Sequence, residues 1–143
     1  MTKNKCLIVL FLLLACVGIP MLMIGPPHSL DVRLYYSHAE AMQWFDSLIY
    51  DEKTNYLINE CLDLIYIAVY TGIFLILNGK WGVIPGIIDL METIPIILFL
   101  KNGNELPEYL GIISMAKWIA GVVFIVLSVK KLLTLRNASY SLR

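Results

Sequence analysis

Four ionisable residues stand inside otherwise apolar runs of this 143-residue chain: Asp63, Asp89, Glu92 and Lys117. Charges are costly in hydrocarbon, so such residues face the interior of a helix bundle in pairs and mark ion, proton or substrate sites. Asp89 and Glu92, three apart, share one helical face. Asp63 leads a second stripe, with Tyr66 and Tyr70 at i+3 and i+7. Glu92 and Lys117 each lie about eight residues, roughly 12 Å of helical rise, from the same end of their runs. An ion pair between them is expected, with Asp89 one turn deeper and within reach of the same ammonium. Thr93 and Ser114 are close enough in sequence to join. Three acids against one base leave two surplus negatives, so at least one carboxyl is expected to hold a proton. Four readings of this cluster stay open: a polar network that fixes helix register, a pocket for a lipid headgroup or small polar ligand, proton-coupled transport, and acid–base chemistry on a lipid.

The elements that must position these residues are apolar helices. Only 15% of residues are charged and the mean hydropathy is +0.75, whereas soluble domains carry about 25% charge. Four runs are long enough to cross a ~30 Å hydrocarbon core: residues 6–24, 61–77, 81–100 and 109–129. The expected fold is therefore all-α, a four-transmembrane-helix bundle in a single integral membrane domain. Pro95 is expected to kink the third helix, as membrane bundles permit. The first run also has the look of a signal sequence or of a lipoprotein signal ending at Cys16. It stays apolar from Val17 to Ile24, however, and bulky Leu14 stands where a small residue is usual, so a retained helix is expected.

Basic residues orient the bundle. With the N-terminus in the cytoplasm, seven basic residues (Lys3, Lys5, Lys80, Lys130, Lys131, Arg136 and Arg143) lie inside, and Arg33, Lys53 and Lys101 lie outside. The positive-inside rule then predicts cytoplasmic N- and C-termini in the plasma (inner) membrane. Eight acidic residues, Glu60 among them, fall on the outer side. Asn137-Ala138-Ser139 matches a glycosylation acceptor but falls on the cytoplasmic side.

The long outer loop, residues 25–60, opens with Pro26-Pro27 and contains a capping box, Ser37-x-x-Glu40. The stretch that follows sets Ala41, Trp44, Phe45, Leu48 and Ile49 largely on one face. This is an extra amphipathic helix, lying on the outer membrane surface or over the bundle mouth. Asp51 is a candidate cap for the next helix. His28 and His38, both in this loop, would be a metal or proton-handling pair or two solvated side chains.

Other chemistry is excluded by what the sequence lacks. Cys6, Cys16 and Cys61 form no C-x-x-C pair, no zinc spacing and no disulfide framework. There is no G-x-S-x-G elbow, H-E-x-x-H motif, P-loop or G-x-G-x-x-G. No cofactor or metal is expected. A net charge of zero argues against nucleic acid.

Tyr35-Tyr36-Ser37-x-x-Glu40-Ala41, Leu62-Asp63-Leu64-Ile65-Tyr66 with Tyr70, Ile88-Asp89-Leu90-Met91-Glu92 and Lys117-Trp118 together resemble a family of small four-helix integral membrane proteins. The resemblance covers roughly residues 30–132. It implies a four-helix fold and implies that Asp63, Asp89, Glu92 and Lys117 act as one unit, but it implies no activity. The expected partners are membrane lipids, with a homo-oligomer or a larger membrane complex as the assembly. The expected function is a non-enzymatic ligand- or lipid-binding module or complex subunit. The alternative is a lipid-acting enzyme or a small proton-coupled transporter subunit.

Overall fold

The computed structural model describes residues 3–25 and 29–141, with side chains described for 5–25, 29–30 and 32–134. Pro26, Pro27 and His28, and the side chains of the Asn137–Ser139 acceptor, lie outside the described residues. The described chain is helical: α1 (Lys3–Ile24), α2 (His38–Ser47), α3 (Tyr50–Asn78), α4 (Ile84–Asn102) and α5 (Leu110–Ser141), with short 3₁₀ turns at Leu30–Val32 and Gly79–Val83.

Three helical stretches are long and apolar enough to cross a membrane: Lys5–Ile24, Tyr50–Asn102 and Leu110–Thr134. The middle one holds 53 residues and would be ~80 Å long if straight. It is folded back on itself. Gly79 takes φ 67°, a conformation that glycine adopts without strain, and the 3₁₀ turn then sends α4 back along α3. Two small residues let the helices meet. A Cβ on Gly82 would overlap the backbone carbonyl of Phe74, and one on Gly86 would overlap the hydroxyl of Thr71. Close backbone approach of this kind is how apolar helices associate where lipid removes the hydrophobic drive.

α1 runs antiparallel to α3. Leu7, Ile73 and Leu77 form a small buried cluster between them, with Leu10 and Leu14 packed on it. Gly18 faces Tyr66, where an added Cβ would sit 3.3 Å from the ring. α5 packs on α4 and α3.

At the opposite end from the Gly79 turn lies the larger core: Leu30, Tyr36, Ala41, Phe45, Tyr56, Ile96, Leu106 and Leu110. α2 supplies Ala41 and Phe45, and the Phe45 ring packs 4.7 Å from that of Phe99 while Trp44 packs edge-on to Tyr56 at 5.0 Å. The Ser37 box closes the start of α2, with the Glu40 amide donating to Ser37 Oγ at 3.2 Å and the Ser37 amide donating to Glu40 Oε2 at 2.7 Å. The Ser37 hydroxyl also donates to Glu40 Oε2, at 2.8 Å, and the two bonds that the carboxylate accepts from Ser37 hold Glu40 below its ordinary value.

The boundaries read from sequence shift in three places, and one expected cap is replaced. The expected 61–77 helix begins at Tyr50, so the expected 25–60 loop includes the first turns of α3. Periodicity weakens there because Asp51, Glu52, Lys53 and Glu60 interrupt the apolar pattern. Asp51 does not cap α3: Ile49 stands at the cap, and its N–H donates to Glu52 Oε2 at 3.0 Å. The expected 81–100 helix starts at Ile84, because Trp81 belongs to the turn. The expected 109–129 helix continues past Lys130-Lys131, since lysines do not stop a helix.

Candidate functional site

α4 carries the centre of the site. Asp89, Glu92 and Thr93 are all buried on its bundle-facing side. Glu92 is fully buried, and its Oε2 lies 2.6 Å from Lys117 Nζ of α5. Its other oxygen accepts a hydrogen bond from the Tyr36 hydroxyl at 2.9 Å. One turn along, Asp89 Oδ1 lies 3.3 Å from the same ammonium, and Asp89 Oδ2 accepts from the Tyr70 hydroxyl at 2.7 Å. The arrangement is a continuous chain, Tyr70–Asp89–Lys117–Glu92–Tyr36, that joins three helices to the segment before α2. Asp63 on α3 accepts from Thr93 Oγ1 at 2.9 Å. Tyr66 stacks edge-on against Tyr70, ring centroids 5.8 Å apart.

The six residues singled out from sequence are thus brought to one region, in two groups linked by α4. Ser114 is not among them. It is fully buried, but its hydroxyl donates to the Arg33 carbonyl at 2.9 Å, as Trp118 Nε1 does at 3.2 Å. Those two bonds lay the 33–37 segment along the first turns of α5. The contact is so close that a Cβ on Gly111 would overlap the Tyr36 carbonyl. This docking is what aims Tyr36 at Glu92.

Tyr36 and Glu60 are the residues that sequence reasoning missed. Tyr36 lies 56 positions from Glu92, and no periodicity links a loop residue to a helix across that distance. Its signal was the Tyr35-Tyr36 pair just ahead of the capping box. Glu60, expected on the outer side, is fully buried in α3. Once α3 starts at Tyr50, the spacing of Tyr56, Glu60 and Asp63 puts Glu60 on the helix's inward face, and that was the available clue.

The cluster is not sealed. α1 leans on α3 and leaves a groove between itself and α5. The groove is made of two connected hollows of about 600 and 470 Å³ that share Phe11, Leu14, Asp63, Tyr66 and Lys117. The first opens toward Gly25, Ser29 and Asn59. The second exposes Asp89 and Tyr70, then continues between Ile73, Leu77, Ile125, Val129 and Leu132. Lys117 and Asp89 keep 16% and 10% of their side-chain surface, while Glu92 keeps none. Chemically, this is a polar recess at the head of an apolar channel. Among the described residues no group of three or more His, Cys, Asp or Glu side chains is arranged to hold a metal ion. Comparison with family profiles, with curated proteins and with solved structures finds no match.

Proposed function

We propose that this chain is an integral membrane protein that crosses the bilayer four times and binds a lipid-like amphiphile in the groove between α1 and α5. The hairpin at Gly79 supports four crossings, because it divides the middle apolar stretch into α3 and α4. The bias of Lys and Arg toward one side supports cytoplasmic termini in the plasma membrane. α2 then covers the outer mouth of a four-helix bundle, its apolar face turned inward onto Tyr56 and Phe99. This architecture agrees with the resemblance to small four-helix membrane proteins. α1 forms one wall of the groove, so the binding form retains it.

One observation carries the binding reading: the ionisable side chains of the cluster that keep exposed surface line a groove whose other walls are mostly apolar. A register-fixing network would be packed shut, as Glu92 is. The groove runs between α1 and α5, two helices apolar enough to cross a membrane, so membrane lipids are the natural ligand class. The site suits binding rather than turnover, because Lys117 is already engaged by two carboxylates.

Purification in a mild maltoside detergent followed by native mass spectrometry tests this. Gly121 lines the groove, and nothing lies within 4 Å of a Cβ built there. Gly121→Trp therefore places an indole in the channel and removes none of the cluster's side chains. The wild-type protein is expected to carry a bound amphiphile that the Gly121→Trp protein, at equal thermal stability, has lost. Equal lipid loading of both proteins would contradict the proposal.

A second reading is favoured by the unbroken chain from Tyr70 to Tyr36. Chains of this kind relay protons in transporters. A proton flux in proteoliposomes, read with a pH-sensitive dye and abolished in Lys117→Met, supports a transporter subunit. Its absence removes that reading.

A further inference from the structure

Resting on the groove as a binding site, we infer that its occupant has a cationic head: a long-chain ammonium compound, with the ammonium seated between Asp63 and Asp89 and the chain lying between Ile73 and Leu132.

Charge balance is the first argument. Asp63, Asp89 and Glu92 face one ammonium, Lys117. Counting Arg33, from the segment docked on α5, and buried Glu60 of α3 as well leaves a surplus of two negatives with every carboxyl ionised, and of one with a single carboxyl protonated. In a low-dielectric site such a surplus is stabilised by an added cation far more than it would be in water. An anionic head, such as a phosphate or carboxylate, would instead have to take Lys117 from Glu92 at 2.6 Å and Asp89 at 3.3 Å. It would bring a third negative group against those carboxylates.

Geometry is the second argument. Glu92 is closed off, and the carboxylates that line the groove are Asp63 and Asp89. They are anchored from behind by Thr93 and Tyr70, at 2.9 and 2.7 Å, so their positions are set before a ligand arrives. Tyr66 and Tyr70, in an edge-to-face pair, line the same recess. Aromatic faces beside carboxylates are the surroundings that recognise ammonium groups.

The third argument is the channel itself. Below the recess its walls are Ile73, Leu77, Ile125, Val129 and Leu132. From Lys117 to Leu132 it runs roughly 22 Å by helical rise. Among the described residues that line this stretch none is charged and Ser128 alone is polar, so the part of the ligand beyond the head is an aliphatic chain.

Three probes of one chain length separate head from tail: dodecylammonium, dodecanol and dodecanoate, titrated into the full chain in maltoside detergent and read by native mass spectrometry. Dodecylammonium is expected to bind at least tenfold more tightly than the other two. Asp63→Asn with Asp89→Asn is expected to erase the preference while the alcohol still binds. Retention of the alcohol also shows that the double variant has folded. Equal binding of all three, or preference for dodecanoate, overturns the cationic head and leaves the groove reading in place. Binding of none overturns both.

Discussion

Lys117 is the residue on which the site turns, because one ammonium serves two carboxylates. Removing one member of a buried pair strands the other, at a cost of about 3 kcal/mol. Lys117→Met is therefore expected to lower the unfolding midpoint markedly in detergent, and Lys117→Met with Glu92→Gln to recover part of the loss. Equal midpoints for the two variants would show that Glu92 does not need the ammonium. Tyr36→Phe removes one donor from fully buried Glu92 and is expected to cost about 2 kcal/mol, measured the same way. The pairing of Glu92 with Lys117 was legible in the sequence, because equal depth on neighbouring antiparallel helices follows from the helical rise alone. The same helical rise puts Tyr70 near the depth of Asp89, but it does not by itself specify the bond between them. Tyr36 was not, since its approach depends on Gly111 and on the Arg33 carbonyl, which are tertiary details.

Among the elements, α2 and the α3–α4 hairpin make separate predictions. Glu40 holds its proton less readily when α2 is folded than when it is unfolded. A carboxyl of this kind adds stability above its ordinary range, and that stability is lost as pH falls through the lowered value. Hydrogen-exchange protection at the start of α2, taken relative to the intrinsic rate at each pH, is thus expected to fall on acidification, and Glu40→Gln is expected to remove that change in protection. The Ser37-x-x-Glu40 box was plain in the sequence because both bonds are local. In the hairpin, Gly82→Ala places a methyl against the Phe74 backbone, which has no room to move, and is expected to cost about 2 kcal/mol. Gly121→Ala meets open space and is expected to stabilise α5 by about 0.5 kcal/mol. Thermal unfolding compares the two, and equal effects would refute the tight seat at Gly82. The start of α3 was hidden in the sequence by its charged first turns, whose burial is decided by α2 and the Leu30–Tyr36 segment rather than by local pattern.

For the molecule as a whole, helical class and apolar character were readable from composition and run length. The groove was not. It exists because α1 packs on α3 through Leu10, Leu14 and Gly18 and leaves α5 unmatched on that side, and no single-helix pattern encodes a gap between two helices. The gap is what turns a buried ion network into an accessible site. The most direct measurement of that claim is photolabelling in bilayers with a long-chain alkylammonium diazirine, mapped by peptide sequencing. Labels are expected to concentrate on Phe11, Leu14, Leu77 and Ile125, inside the groove, and to fall away in Gly121→Trp. Labelling spread evenly over Ile119, Val122 and Val126, which are exposed on α5 but do not line the groove, and unchanged by that substitution, would contradict it.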